Sequence, residues 1–408
     1  MKRIVSVTLL LALWFGLGCA HHPAAEPVEF VESIPVETSL DNPDIRNTLE
    51  VWLELIHGAK KRIDLEQFYL SHRPGETLDQ VTAALMTAAR NGVQIRIIAD
   101  RRMHKTYPVL PDSLARLENI SVRLIDFVAL AGSVQHAKYF VVDAEVVFLG
   151  SQNFDWRALT HIHELGLLIR NRHVAAVYQD LFDLDWRLAA LQDPDSSRYV
   201  LTPASYAVPV EITSDRHGPV SIHPTCSPKI LIPDTTLWDE IHIVRLLDAA
   251  RSEICLQFLS YSPRGRDGTY YEALDGALRR AAARGARVRL LVSDWQKGSR
   301  AEASLRELAA LENIAVHFSV IPEWSDGYIS YARVEHCKFM VVDEKAFWLG
   351  TSNGEKSYFH TSRNAGVVIR SDRLAARLRQ IFYKSWESEY VEAVDPERSY
   401  APREHAGE

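Results

Sequence analysis

The sequence predicts a mixed α/β fold made of two similar domains, each with a sheet flanked by helices. Strand-like and helix-like segments alternate along the chain, which is typical of layered α/β proteins. A long motif near residue 140 returns 200 residues later. The chain has 408 residues, 47% of them hydrophobic and 24% charged, so it is long enough to form two sizeable cores.

The alternation of elements is the same in both halves. In the first half, apolar spacing predicts in order a helix over 45–59, a strand over 63–69, a helix over 78–90, a strand over 93–99, a short helix over 114–117 and a strand over 122–125. In the second half it predicts a helix over 240–250, a strand over 254–259, a helix over 270–283, a strand over 288–292, a helix over 304–311 and a strand over 316–320. We therefore expect the two domains to share one topology.

The repeated motif has the spacing His-x-Lys-x4-Asp, followed after six further residues by Gly and after two more by Asn. Its members are His136, Lys138, Asp143, Gly150 and Asn153 in the first copy and His336, Lys338, Asp343, Gly350 and Asn353 in the second. If each copy begins as a strand, period-two alternation places its His and Lys on one face. Each Asp then interrupts the apolar run at the turn of a hairpin. Together the copies predict one pocket with two His, two Lys and two Asn.

The doubled motif resembles that of the phospholipase D superfamily, and the resemblance covers nearly all of the chain after its first residues. In that family the two copies meet across a pseudo-twofold interface and cleave phosphodiesters through a covalent phosphohistidine. The flanking residues 149–157 and 331–336 are most similar to the branch that contains lysosomal single-strand 5′-exonucleases and poxvirus envelope phospholipase-like proteins.

Phosphodiester cleavage explains the residue types in the motif. Lys138 and Lys338 would neutralise charge on the phosphoryl oxygens, and Asn153 and Asn353 would donate hydrogen bonds. One imidazole would attack phosphorus while the other, protonated, serves the leaving oxygen. A Lys two residues from each His would repel a divalent cation, so we expect no metal and no cofactor. Ser151 and Ser352 are predicted to support the site, while Asp143 and Asp343 hold the hairpins.

An asymmetry distinguishes the two copies. Glu164 stands 28 residues after His136, whereas Asn364 stands 28 residues after His336. In some members of the superfamily an acidic residue near this position binds the second ring nitrogen of the catalytic His. We therefore expect Glu164 to pair with His136, which would make His136 the nucleophile and His336 the general acid; alternatively, the same carboxylate would hold His136 protonated as the acid. The alternative is a solvated charge at the start of a strand. Four other histidines are predicted to be surface or loop residues: His161, His163, His317 and His360.

The ends and the connection have a different composition from the two domains. Residues 1–19 predict a signal peptide that resembles a bacterial lipoprotein leader, with Cys19 lipidated; a plain secretory peptide and an uncleaved anchor are the alternatives. Residues 20–43 predict a tether or an early strand. The domains are expected over 44–192 and 237–395, with a proline-rich linker over 193–236 that has room for one or two strands, and a tail over 396–408. Three further cysteines without metal-type spacing predict packed side chains: Cys226, Cys255 and Cys337.

These observations predict a monomeric, extracytoplasmic phosphodiesterase held at a membrane by a lipid anchor. Phospholipid is the first substrate that we infer, from the superfamily and the anchor. Single-stranded nucleic acid, cleaved by a 5′-exonuclease, is the alternative from the narrower resemblance. A non-catalytic membrane-binding protein is disfavoured because both motifs are complete. The net charge of −7 argues against a surface coated with basic residues for duplex binding.

Substitution of Cys19 tests the anchor. Because lipidation requires the thiol, Cys19→Ser should remain unprocessed and the mature protein should disappear from the membrane fraction; in a Gram-negative host the wild-type protein should fractionate with the outer membrane. Immunoblots of separated membranes would measure both. Normal processing and unchanged membrane association of Cys19→Ser would instead indicate a plain signal peptide.

Overall fold

The computed structural model describes residues 26–191, 201, 204–265 and 267–403. The predicted signal peptide and Cys19 lie outside these ranges. Among the helices in the described ranges, none combines the length and apolar character needed to cross a bilayer.

The first domain contains ten strands and seven helices in the described residues. Its strands are β1 (Val28–Ser33), β2 (Arg46–Asn47), β3 (Arg62–Gln67), β4 (Leu70–Ser71), β5 (Gln94–Asp100), β6 (Ile120–Ile125), β7 (Tyr139–Val142), β8 (Val146–Gly150), β9 (Phe154–Asp155) and β10 (Glu164–Arg170). Its helices are α1 (Thr48–Gly58), α2 (Leu78–Arg90), α3 (Arg101–His104), α4 (Val109–Leu114), α5 (Phe127–Ala131), α6 (Trp156–Thr160) and α7 (Arg172–Leu188).

The second domain repeats this order. Its strands are β11 (Val210–Ser214), β12 (Gly218–Ser227), β13 (Glu253–Phe258), β14 (Tyr261–Ser262), β15 (Arg287–Ser293), β16 (Ile314–Ser319), β17 (Phe339–Val342), β18 (Ala346–Gly350), β19 (Gly354–Glu355), β20 (Asn364–Arg370) and β21 (Val391–Ala393). Its helices are α8 (Asp239–Ala249), α9 (Glu272–Ala283), α10 (Glu302–Ala309), α11 (Lys356–His360) and α12 (Asp372–Trp386).

Each domain is built on one large mixed sheet, as the alternation predicts. The strand orders are β2-β1-β10-β8-β7-β3-β5-β6 and β11-β12-β20-β18-β17-β13-β15-β16-β21. In both sheets the three strands that alternate with helices run parallel, and the motif hairpin and its neighbours run antiparallel. The predicted fold of two repeated α/β domains is therefore confirmed.

Three apolar clusters hold the molecule together. One cluster lies between the first sheet and α1 and α2 and also takes in Ile329, Ala332 and Val334; another lies between the second sheet and α8 and α9. The third is shared by both domains and includes side chains from α7 and α12, such as Phe182 and Phe382. Tyr178 of α7 also donates a hydrogen bond to the carbonyl of Gly366 at 2.6 Å. Because one core spans both halves, the domains pack as a single unit.

Residues predicted to form the tether, the linker and the tail are part of the folded domains. Within the predicted tether, β1 pairs with β10 over six residues, which corresponds to the early-strand alternative. Within the predicted linker, β12 pairs with β20 in the equivalent place. The predicted linker contains β11 and β12, as the expected one or two strands allowed, and Pro219 and Pro224 lie within β12. Tyr400, in the predicted tail, is buried.

The aspartate of each motif secures its hairpin, as predicted. The Asp143 carboxylate accepts hydrogen bonds from the backbone N–H groups of Lys60, Lys61 and Arg62 at 2.7, 2.8 and 2.8 Å. Asp343 binds the start of β13 in the same way. Partial burial would raise the pKa of Asp143, but these three donors hold it below its usual value. The carboxylates thus tie the turn of each hairpin to the neighbouring central strand.

Removal of this carboxylate should destabilise the fold. Asp143→Ala loses three charge-assisted hydrogen bonds, so we expect the free energy of unfolding to fall by about 2–4 kcal/mol in urea titrations at pH 7. Since the folded state lowers the pKa, the stabilisation is present at neutral pH and disappears as the pH falls through the folded-state pKa. The difference from wild type should therefore shrink in acid. Asp326→Ala, at an exposed turn, should have little effect.

Candidate active site

The two motif histidines lie on short extended segments that precede the hairpins. The sequence predicts strands beginning at the histidines, but β7 and β17 begin three residues later, at Tyr139 and Phe339. The residues before them pair with the opposite domain instead. The N–H of His136 donates to the carbonyl of Arg363 at 2.8 Å, and the N–H of His336 donates to the carbonyl of His163 at 3.0 Å. These reciprocal bridges bring both motifs to the domain interface.

The second ring nitrogens of the histidines also find their partners across the interface. His336 Nδ1 lies 2.7 Å from Glu164 Oε2, and His136 Nδ1 lies 3.2 Å from Asn364 Oδ1. The expected pairing of Glu164 with His136 is therefore wrong. Glu164 and Asn364 begin β10 and β20, and each strand start faces the motif of the other domain. The alternative of a solvated charge is also wrong, because Glu164 is buried.

Hydrogen bonds around the Asn364 amide fix its orientation. Its Nδ2 donates to the carbonyl of Tyr358 at 2.8 Å, so Oδ1 faces His136. Oδ1 also accepts from Thr351 Oγ1 at 2.9 Å. A carbonyl oxygen can only accept, so His136 carries its proton on Nδ1 and keeps a lone pair on Nε2.

The two motif lysines are fully buried beside the histidines. Lys138 Nζ donates to the carbonyl of His136 at 2.6 Å, and Lys338 Nζ donates to the carbonyl of His336 at 2.5 Å. Burial, followed by the charge of Lys338, lowers the pKa of Lys138 well below its usual value. Burial lowers the pKa of Lys338 to about 8, against an opposing effect of Glu164. The ammonium groups repel each other, and an anionic phosphate would relieve this repulsion.

The two motif asparagines present free hydrogen-bonding groups. Both side chains are buried, yet Asn153 Oδ1 has no partner among the described residues, and the same holds for Oδ1 and Nδ2 of Asn353. Buried polar atoms are normally paired, so unpaired ones in a cleft indicate contacts completed by a bound molecule. Their role in binding a substrate stays a prediction; among these unpaired atoms, Nδ2 of Asn353 is the one that could donate as the motif predicts.

Of the two predicted supporting serines, only Ser151 lies against the histidine partners. Its Oγ accepts from the N–H of Leu165 at 3.0 Å, which holds the start of β10 and thus Glu164. Thr351 does the same for β20, accepting from the N–H of Ala365 at 3.1 Å. Ser352 instead contacts Asp239 at 3.3 Å. Thr351 is the residue that sequence reasoning missed, although its alignment with Ser151 in the repeat would have revealed it.

Residues next to the histidine partners form buried ion pairs that the sequence did not predict. His163, expected at the surface, is buried, and its Nδ1 lies 2.7 Å from Glu335 Oε2. Although burial opposes both charges, the pairing raises the pKa of His163 and lowers that of Glu335 to about 2. On the other side of the interface, Arg363 pairs with Asp185 at 2.6 and 2.7 Å. His161 is also buried, but it lies in a turn after α6, so its predicted loop position is confirmed.

One group of three potential metal ligands occurs among the described residues: His163, Glu335 and Cys337. Its donor set does not fit a metal, because His163 Nδ1 and Glu335 are already paired at 2.7 Å. Burial also raises the pKa of the Cys337 thiol well above its usual value, so this residue holds its proton at neutral pH. We therefore treat these residues as an ion pair and a packed thiol.

Comparisons with known proteins agree with this geometry. A family model described as "Cardiolipin synthase, PLD-like domain" matches residues 52–186 and 243–386. The chain is 30% identical over 394 residues to "Phospholipase D Z" of Dictyostelium discoideum, a match that covers 92% of each protein. It is 32% identical over 418 residues to "5'-3' exonuclease PLD3" of Homo sapiens, covering 93% of this chain and 84% of that protein.

A solved structure shares the fold. Phosphatidylserine synthase of Haemophilus influenzae superimposes with a TM-score of 0.61 at 14% identity, covering 90% of this chain and 87% of that one. The family-model matches fall on both domains and include both His-x-Lys motifs. The chain therefore belongs to the phospholipase D superfamily, and both copies of the motif contribute to one candidate active site.

Proposed function

We propose that this protein is a metal-independent phosphodiesterase that removes nucleotides from the 5′ end of single-stranded nucleic acid through a phosphohistidine intermediate. The observation that carries the proposal is the convergence of two histidines and two buried lysines at the domain interface. Two buried ammonium groups that repel each other favour a ligand with concentrated negative charge. Membership of the phospholipase D superfamily supports the phosphodiesterase activity itself.

Aromatic side chains beside the site favour nucleic acid as the substrate. The rings of Phe68 and Tyr358 lie 4.8 and 5.0 Å from the His136 ring. Phe68 contacts Tyr69, which stacks on Tyr107 at 4.8 Å. All four rings are partly exposed. Half-exposed aromatic faces bind successive bases of a single strand with little sequence preference.

The line of rings continues towards an exposed tyrosine. Arg157 lies over the Tyr107 ring and donates to the carbonyl of Ser330 at 2.9 Å. The next residue, Tyr331, is 65% exposed and packs edge-on against Trp295. Arg157 is buried and paired with Asp155, so the rings and not the guanidinium would contact a strand leading away from His136. The relative named as a 5′–3′ exonuclease supports the same substrate class.

Phospholipid headgroup hydrolysis or transfer is the second candidate. It is favoured by the relative named phospholipase D Z, which matches this chain over 92% of both lengths. A lipid anchor at Cys19 would also hold the enzyme beside such a substrate, and we propose an extracytoplasmic, membrane-anchored location on that basis.

A side-by-side assay separates the two substrates. Purified protein should release nucleotides stepwise from a 5′-hydroxyl single-stranded oligonucleotide, and should act more slowly on a fluorescent phosphatidyl lipid. Because lysines neutralise the phosphate, EDTA should leave the rate unchanged. Release of the lipid headgroup alone would favour the second candidate, and activity lost to chelator but restored by zinc or magnesium would contradict the mechanism.

The variant Tyr331→Ala tests whether a base of the substrate stacks on Tyr331. Because Tyr331 is exposed, the variant should fold as the wild type does. Loss of one stacked base should raise KM for the oligonucleotide by roughly 5- to 100-fold. Hydrolysis of bis-p-nitrophenyl phosphate, which has no base to stack, should be unchanged. Tyr270→Ala, at another exposed tyrosine, is the matched control.

The partners of the two rings support a division of labour between them. His136 faces a neutral amide, and burial followed by the charges of Lys138 and Lys338 lowers its pKa well below its usual value. It is therefore neutral, with a free Nε2 lone pair suited to attack phosphorus. His336 faces Glu164, whose pKa burial raises to about 8. Up to that pH the Glu164–His336 pair retains a proton that the His136–Asn364 pair lacks.

The retained proton can serve the leaving group. Burial and the two lysines also lower the pKa of His336, so in the absence of an anion the extra proton lies on Glu164. Glu164 Oε2 then donates to Nδ1, and the ring of His336 carries its own proton on Nε2. His136 Nε2 would form the P–N bond as the P–O bond breaks. The leaving oxygen would take the Nε2 proton of His336 while the Glu164 proton moves to Nδ1, so the ring stays neutral and Glu164 becomes a carboxylate. Water would then hydrolyse the phosphohistidine, with His336 accepting its proton. This is the division of roles that the sequence predicts, but on a different physical basis.

Adduct trapping tests the roles. A substrate with an activated leaving group needs little acid catalysis, so His336→Ala should still form a phosphoenzyme, whereas His136→Ala should not. Mass spectrometry of acid-sensitive adducts, quenched in alkali, would locate the phosphoryl group. An adduct on His336 would reverse the assignment.

The pH dependence of kcat/KM tests whether Glu164 holds the proton that replaces the one His336 passes to the leaving group. Since Glu164 loses its proton above about pH 8, kcat/KM should fall above that pH in the wild type. Lys338 loses its charge in the same range, so the informative comparison is Glu164→Gln. That variant should lose roughly 10²-fold in kcat/KM at pH 7, and its activity should decline from a lower pH. The matched change Asn364→Asp should instead protonate His136 and slow the attack. An unchanged alkaline limb in Glu164→Gln would contradict the role given to Glu164.

A further inference from the structure

A second pocket lies in the C-terminal domain, between β12, β20 and α8. Its volume is about 270 Å³, and its polar lining includes Ser221, His223, His242, Arg245 and Arg370. Arg370 ends β20, whereas Asn364, which binds His136, begins it. Six residue steps of roughly 3.3 Å separate them, so the pocket is about 20 Å from the catalytic histidines.

The basic side chains of this pocket have no acidic partners. Arg245 and Arg370 are exposed, and neither guanidinium has a hydrogen-bond or ion-pair partner in the part of the chain that the structure describes. Their charges act on His242, whose Nε2 donates to the carbonyl of Thr236 at 2.6 Å. Like charges without counterions repel, so the bare cluster is electrostatically unfavourable.

One of the two histidines adds an unpaired polar atom. Their rings lie 4.1 Å apart, and the buried Nε2 of His223 has no partner among the described residues. Burial lowers the pKa of His223 to about 4, so the charge of the pocket at pH 7 comes from the arginines. Glu211 accepts from Ser221 and Asp234 accepts from Thr236. Glu240 and Glu272 line an adjoining pocket with Arg245, where Glu240 accepts from Tyr271, and within the described ranges neither forms an ion pair with Arg245.

The N-terminal domain has an equivalent position at the end of β10, and the charged side chains there form ion pairs. Arg170 ends β10 as Arg370 ends β20, and it pairs with Glu29 and Glu54. Glu29 stands opposite Leu168, as His223 stands opposite Val368. Glu54 is the seventh residue of α1, as Arg245 is the seventh residue of α8.

The C-terminal domain therefore replaces both carboxylates of this arrangement with basic residues and keeps the arginine. What is an internal ion-pair cluster in one domain becomes a cationic pocket with the same backbone geometry in the other. A guanidinium fork and a ring N–H are the donors that bind phosphate groups in proteins. A pocket slightly smaller than typical small-molecule sites suits one phosphate group rather than a whole lipid.

We propose that this pocket is a second anion site that binds a phosphate group, carried by a nucleotide or by a lipid headgroup. Arg245 and Arg370 would supply the charge, and His223 would donate through its unpaired ring nitrogen. The proposal does not depend on the proposed phosphodiesterase activity, because none of these residues contacts the motif histidines.

Calorimetric titration of the mature wild-type chain with inorganic phosphate tests the proposal. We expect two classes of site, the catalytic pocket and this one. Arg245→Glu recreates the Glu54–Arg170 pair, so its Glu should neutralise Arg370. Phosphate binding to this second site should then weaken by roughly tenfold or more. Inhibition of diester hydrolysis by phosphate, which reports on the catalytic pocket, should stay unchanged. Arg251→Glu, an equal change of charge at an exposed residue on the same domain, should bind phosphate as the wild type does.

Wild-type phosphate binding by Arg245→Glu, or an equal loss in Arg251→Glu, would overturn the site. The comparison holds even if the protein hydrolyses no diester, because one class of binding is still compared between variants. Titrations with glycerol 3-phosphate and with a deoxynucleoside 5′-monophosphate then identify the source of the phosphate. Binding of at least one should weaken in Arg245→Glu, and undiminished binding of both would count against the proposal.

Discussion

The active site depends on two backbone hydrogen bonds that cross the domain interface, from His136 to Arg363 and from His336 to His163. They dock the segment before each motif hairpin against the start of β10 or β20 in the other domain. The side chains that follow are thereby aligned, so Asn364 meets His136 and Glu164 meets His336. Without this docking, each histidine would lack the partner that sets its tautomer, and the two lysines would not share one pocket.

Buried charge surrounds this interface, and its arrangement is unequal on the two sides. Beside His336 stand a carboxylic acid and the His163–Glu335 ion pair; beside His136 stand an amide and the Arg363–Asp185 pair. Buried ion pairs add little stability over apolar packing, but loss of one partner is strongly destabilising. These pairs therefore fix the relative position of the domains more than they strengthen the fold. The same rigidity keeps the lysines close together when no phosphate separates them.

The motif residues and the α/β order could be predicted from the sequence because both are local patterns that occur twice. The helix over 78–90, for example, has its predicted bounds in the structure. The partner of each histidine could not be predicted in this way. A distance of 28 residues along one copy suggested an internal pair, but the residues at this offset project across the interface into the other copy. His163 was missed for a related reason, since its burial arises from Glu335 of the opposite domain. Strands β1 and β12 were allowed for in the predicted tether and linker, but their pairing with β10 and β20 could not be predicted, because it joins segments far apart in the sequence.

The crossing of partners has a consequence for how such a protein could arise and diverge. If two identical subunits formed this interface, symmetry would place the same residue against both histidines. The two histidines would then have the same proton affinity, and neither would be fixed as nucleophile or general acid before the substrate bound. Joining the halves in one polypeptide removes that restriction, because position 164 can mutate without position 364. A single exchange of amide and carboxylic acid is then enough to turn a duplicated residue into two specialised ones.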